Sequence, residues 1–297
     1  MKYIALGLFL LFSNSIFAQR EGIGFEISSK YLHISNEYVV SVKHYRNTGV
    51  QILPYLSYRV NSSCGLTHST IPLGYSDSSS TNCSLNKIPV SFYIDTISLS
   101  TNCQDYLLTL DTCCIQGSVS SGGALHVKLF IKHDSLRNNS PFFIGNEFIY
   151  ASLNDTSIFD FSAFDTDGDS LQYEFYQDPW ISNYFPGYSY NKPFGLNSYV
   201  NLNSSTGTLA FAPQRSGKYF ICIRVNEFRN GNLIGFVTKE IVCFVSTNNS
   251  NCLSTNIYEN SISKVNVFPN PSSAIVHIKG ANNVKIVSLM DISGKNI

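Results

Sequence analysis

Charge is scarce in this chain: Asp, Glu, Lys and Arg make up 13% of its 297 residues, against about 25% in an average globular domain. The 20 basic and 20 acidic side chains cancel, and no basic run stands out. That balance leaves no electrostatic footprint for nucleic acid or for an anionic membrane surface. Long apolar runs are also missing. The most apolar stretch, Tyr3–Phe12, is about half of the roughly twenty residues a spanning helix needs, so no transmembrane anchor is expected. No segment after it repeats apolar residues with a helical period. GxSxG, HExxH, P-loop and GxGxxG elements are absent, as are the CxxC or Cys/His pairs of a zinc site. A hydrolase built from scattered carboxylates has nothing positive in its favour, and no catalytic residue is expected.

What is present is aromatic and β-forming. Aromatic residues reach 13%, the polar remainder is dominated by Ser, Asn and Thr, and a period of two prevails. Strand-like runs are Tyr38–Tyr45, Leu53–Val60, Val90–Leu99, Leu107–Cys113 and Leu125–Lys132, then Ile158–Phe164, Leu171–Tyr176, Thr208–Phe211, Tyr219–Val225 and Phe236–Val245. Ser/Asn/Gly/Pro clusters separate them. The reading is all-β, with two Ig-like or cadherin-like β-sandwiches in tandem and a partial C-terminal β domain. The expected domains are a signal peptide over 1–18, a cysteine-bearing β domain over 19–140, a sandwich over 141–247, a linker over 248–262 and a terminal unit over 263–297.

Lys2, the apolar Tyr3–Phe12 and the small, polar Ser13–Ala18 have the form of a secretory leader cut after Ala18. Secretion, or display at the outer cell surface, is therefore expected. Eight cysteines fit that destination as disulfide candidates: Cys64, Cys83, Cys103, Cys113, Cys114, Cys222, Cys243 and Cys252. Cys64 and Cys83 flank a Ser/Thr-rich stretch read as a loop, and Cys103 precedes Cys113 closely. Cys222 and Cys243 lie on neighbouring strands, yet alternation puts them on opposite faces, so their pairing needs a bulge or another partner such as Cys252.

Two constellations carry chemistry. Asp165, Asp167 and Asp169 crowd one turn, where three carboxylates repel unless a cation or solvent compensates. Calcium takes six to eight oxygens, so the turn would supply about half a shell. In an Ig-type sandwich the loop holding Glu227 and Asn230 emerges at the same end and would complete it. The plainer reading is a solvated Asp/Gly turn. The second constellation is the aromatic run Trp180, Tyr184, Phe185, Tyr188, Tyr190 and Phe194. Such side chains bind a glycan or a protein when exposed; otherwise the loop folds back and covers a sandwich edge. The six histidines are scattered, with ordinary roles expected.

Three resemblances sharpen these expectations. Asn266-Val267-Phe268-Pro269-Asn270-Pro271-Ser272-Ser273, followed by Leu289-Met290-Asp291-Ile292-Ser293-Gly294-Lys295, resembles the type A sorting domain of type IX secretion substrates. That implies an outer-membrane secretion machinery as partner, although the strands that usually follow are missing. Ala163-Phe164-Asp165-Thr166-Asp167-Gly168-Asp169-Ser170-Leu171-Gln172-Tyr173, with Thr206-Gly207-Thr208-Leu209 and Gly217-Lys218-Tyr219, resembles a dystroglycan-type cadherin-like sandwich. Cys103-Gln104-Asp105-Tyr106, Cys113-Cys114 and Asn139-Ser140-Pro141-Phe142-Phe143 resemble large surface proteins of the same route. Together they imply a non-enzymatic adhesive or structural protein, with a carbohydrate-binding module using 176–199 as the alternative.

Overall fold

The computed structural model describes residues 22–32, 36–47, 52–79, 88–103, 105–115, 118–121, 123–132, 137–147, 149–177, 184–247, 266–268 and 277–279. The leader, Cys83, Cys252 and Trp180 lie outside the described residues. The fold is all-β, as the alternation indicates.

Seven strands form the first group: β1 (Gly22–Tyr31), β2 (Glu37–Arg46), β3 (Tyr55–Ser62), β4 (Gly65–Ser79), β5 (Ile88–Ser98), β6 (Asp105–Ile115) and β7 (Gly123–Lys132). The second group holds β8 (Phe142–Phe143), β9 (Ile149–Ser152), β10 (Ser157–Asp160), β11 (Ala163–Phe164), β12 (Ser170–Phe175), β13 (Tyr199–Leu202), β14 (Thr208–Ala212), β15 (Gly217–Arg229) and β16 (Asn232–Ser246). Asn230 and Gly231 both have positive φ at the tip of the β15–β16 hairpin, the turn that an Asn-Gly pair favours.

The second group is a sandwich. Strands β12, β15, β16 and β9 make one sheet, with β9 parallel to β16; β10, β14 and β13 make the other. Their inner faces bury Phe159, Phe161, Phe211, Tyr219, Ile221, Ile223, Val237 and Ile241. The Tyr219 hydroxyl donates to the Arg215 carbonyl four residues upstream, the tyrosine corner of Ig sandwiches.

The first group is a curved sheet in the order β1-β2-β5-β4-β3-β6-β7. Both of its ends land on one edge of β16: β7 pairs with Gly235–Val237, and β1 pairs with 239–241. The strands thereby close a circuit, which leaves neither end exposed. Closure demands close approach, and Gly24 supplies it: a Cβ there would sit 2.8 Å from the Glu240 carbonyl oxygen. The expected junction at 138–141 is the passage from β7 to β8, and main-chain pairing crosses it. Residues 22–247 fall within one compact unit. The β6–β7 connection also reaches the sandwich, where Val119 donates to the Lys218 carbonyl and Ser120 Oγ accepts from the Phe220 amide.

Two cysteine expectations are corrected. The stretch after Cys64 is strand β4, not a loop, because hydrogen bonding to β3 and β5 holds it although only Ile71 of 65–74 is buried. Cys64 bonds to Cys103 rather than closing a loop with Cys83, and their Cα atoms are 5.6 Å apart. Pairing of Ser62 with Tyr106 places the β3–β4 turn beside the segment that leads into β6. Cys222 and Cys243 are buried thiols and do not bridge, since Cys222 opposes Glu240 while Cys243 opposes Tyr219. In the C-terminal unit, β17 (Asn266–Phe268) and β18 (His277–Lys279) form an antiparallel pair.

Candidate functional site

The Asp165 turn joins β11 to β12, with Gly168 at positive φ. Asp165 is buried, and its Oδ1 accepts from the amides of Asp167 (2.8 Å) and Asp169 (3.1 Å), which shapes the turn. One carboxylate oxygen from each of the three Asp residues lies within 4.8 Å of the others, so the crowding expected from spacing is real.

Three residues that the sequence reading passed over organise the cluster. Arg229 binds Asp169 with Nε at 2.8 Å from Oδ1 and Nη2 on Oδ2, while Nη2 lies 3.5 Å from Asp167. Nη2 also donates to Asn138 Oδ1 at 2.9 Å. Asn139 donates its amide and Nδ2 to Asp167 at 2.8 and 2.7 Å. The carboxylates raise the Arg229 pKa, its hydrogen bond to Asp169 most of all. The signal that points to Arg229 is charge balance: it is the cation nearest in sequence to Glu227, at the tip expected to meet the Asp turn.

Glu227 joins the cluster as expected and is fully buried, with Asn138 Nδ2 donating to its Oε2 at 2.8 Å. Glu227 Oε1 and Asp165 Oδ2 are buried with no donor from any other described residue, and the two carboxyl groups hydrogen-bond to each other. Burial, reinforced by the neighbouring Asp165 and Asp169 carboxylates, pushes the Glu227 pKa up to about 9, against the opposing pull of the Asn138 amide. Glu227 therefore holds a proton at neutral pH and faces Asp165 as an acid facing a carboxylate. Asn230 is not joined to the cluster by any hydrogen bond seen here. Its carbonyl accepts from Asn232 Nδ2 at 3.4 Å within the hairpin tip, because the Asn-Gly turn sets its backbone.

Among the described residues of the aromatic loop, Phe194 and Tyr188 turn towards the sandwich core. Phe194 stacks on Phe211 (centroids 4.2 Å apart) and packs on Tyr219, and Tyr188 also meets Tyr219. Tyr184 bridges to Ser121, and the Phe185 amide donates to the Ser120 carbonyl. Tyr184 and Tyr190 are half-buried, while Phe185 is 45% exposed.

His126 has an acidic partner that sequence spacing did not reveal. Its Nδ1 lies 2.5 Å from Asp111 Oδ1, and Arg59 binds the other Asp111 oxygen. These groups meet across β7, β6 and β3.

Strand order and tyrosine corner together define an Ig-like sandwich. No protein-family model matches the chain, and no curated protein matches it. Among solved structures, the chain is similar to the titin Ig tandem domains A164–A165 at 10% identity and a TM-score of 0.22, covering 75% of this chain and 98% of that one.

Proposed function

We propose that the protein is an exported, non-enzymatic surface protein of adhesive or structural kind, with its C-terminal segment as the address for type IX secretion. The observation that carries the reading is the Cys64–Cys103 disulfide, since such a bond persists in oxidising compartments. The leader-like N-terminus and the surface-protein resemblances agree with it. Cell fractionation with intact mass, comparing the full chain with one ending at Thr247, tests it. Surface or medium recovery of the full chain, with the shorter chain retained, is expected. A cytosolic full chain with reduced Cys64 and Cys103 refutes export.

A bound calcium ion is the second element of the proposal, favoured by one carboxylate oxygen from each of Asp165, Asp167 and Asp169 lying within 4.8 Å of one another; its binding would displace the proton that Glu227 holds against Asp165. An all-oxygen donor set suits calcium. Calorimetric titration of the full chain decides: heat that Glu227→Gln abolishes supports the ion, and silence at millimolar calcium removes it. The glycan-binding alternative rests on Phe185, which is exposed, in the same loop as the half-buried Tyr184 and Tyr190. Glycan-array binding lost in Trp180→Ala would favour it.

A further inference from the structure

Lys239 is 1% exposed in the middle of β16, and its Nζ lies 3.1 Å from Glu26 Oε2 and 3.1 Å from the Asn146 carbonyl oxygen. The rings of Phe143 and Tyr45 close around it, with centroids 5.3 and 5.5 Å from Nζ. Glu26, also buried, is shared with Lys43 at 2.7 Å. As a stabilising device this is a poor arrangement. Lys43 also lies 3.8 Å from the half-buried Glu147, so among the described residues Glu26 is the one carboxylate facing Lys239, and the desolvation of that buried pair offsets most of its attraction. The same groups are well placed for chemistry.

We propose that Lys239 and Asn146 form an intramolecular amide bond, with Glu26 as the catalytic acid–base. The nucleophile is the Lys239 amine, already touching the main chain of the residue whose carboxamide it attacks. The carboxamide is polarised in advance: the Asp160 amide donates to Asn146 Oδ1 at 3.1 Å, at the oxygen where negative charge develops. The Asn146 amide donates in turn to the Asp160 carbonyl at 2.9 Å, which holds residue 146 in place. Lys239 and Glu26 are buried, while Asn146 is half-buried.

The step balances within these groups. Glu26 takes one proton from the Lys239 ammonium, and the freed amine bonds to Asn146 Cγ. As the Cγ–Nδ2 bond breaks, Glu26 delivers that proton to Nδ2. It then accepts the second Nζ proton and yields it to the departing ammonia, which leaves as ammonium. No oxidant, reductant or metal is required. Asn146 precedes β9 and Lys239 sits in β16, so the bond would tie the opening segment of the sandwich to its last strand across 93 positions.

The test is a peptide map of the folded full chain under denaturing, reducing conditions. The expected result is a branched peptide joining Lys239 to Asn146, lighter by one ammonia than its two linear parts, and resistant to trypsin at Lys239. Location by fragmentation matters, because cyclisation of an N-terminal Gln19 after leader removal would lose the same mass elsewhere. Glu26→Gln should abolish the branched peptide, and Lys239→Met should leave the Asn146 peptide linear. If either variant fails to fold, the wild-type map decides alone. Recovery of the two unmodified linear peptides from folded wild-type protein overturns the proposal.

Discussion

Lowering the pH should destabilise this fold through one buried imidazole. His44 is 4% exposed and stacks on Phe25 with centroids 4.1 Å apart, and neither ring nitrogen has a hydrogen-bond partner. Burial first, then the Arg46 charge, pushes its pKa down to about 3. In the unfolded chain the ordinary value of about 6.5 applies. Between pH 6.5 and 3 the unfolded state thus binds more protons, and stability falls as pH drops through that window. At pH 5 the gap from 6.5 is 1.5 pH units, which costs about 2 kcal/mol at 1.36 kcal/mol per unit. His44→Leu keeps an apolar side chain of similar size and removes the titration. Urea unfolding of the full chain and this variant at pH 7, 6 and 5 isolates the effect, because every other group titrates in both. The wild type should lose about 2 kcal/mol relative to the variant between pH 7 and 5. Parallel pH profiles would refute the reasoning, since they would mean that the folded state protonates His44 at no cost.

Glu227 should act with the opposite sign. Its folded pKa lies well above the unfolded value, so its contribution is fully present below pH 4.5 and is lost as pH rises towards about 9. Glu227→Gln should therefore flatten the decline in urea midpoint between pH 6 and 9. Replacing Cys64 and Cys103 together by Ala should cost up to about 4 kcal/mol, the loop-closure value for residues 39 apart, measured by equilibrium urea unfolding. Tyr219→Phe removes the corner hydrogen bond to Arg215 and leaves a well-packed ring, so a loss of about 1 kcal/mol is expected in the same assay.

Local alternation made most of the strands legible, because β2, β5–β7, β14 and β16 each turn one apolar face to a core. It missed β1, where Gly22 and Gly24 interrupt the pattern and β16 and β2 flank the strand on both edges. It missed β4, whose residues Leu66–Thr70 are all exposed and which ladder bonds alone define. Thr, Ser and Leu in that stretch suit a strand, but composition does not say which neighbour will pair with it. The disulfide was illegible for the same reason, because Cys64 and Cys103 meet only once β3 and β6 are in register. In the candidate site, Asp165, Asp167, Asp169 and Glu227 assemble as loop placement implied. Arg229, Asn138 and Asn139 did not stand out, since their role depends on how the 138–141 segment runs: it is pinned by Ser140 to Ser29 and by Asn139 to Tyr31.

The closure of the first seven strands on β16 sets an order of events. The last of the seven, β7, ends at Lys132, but the edge that receives both β1 and β7 is not available until residue 241. A chain emerging from its N-terminus thus carries a sheet whose two ends stay open for over a hundred residues. The closed circuit is therefore a late event in synthesis, completed only when β16 has been made.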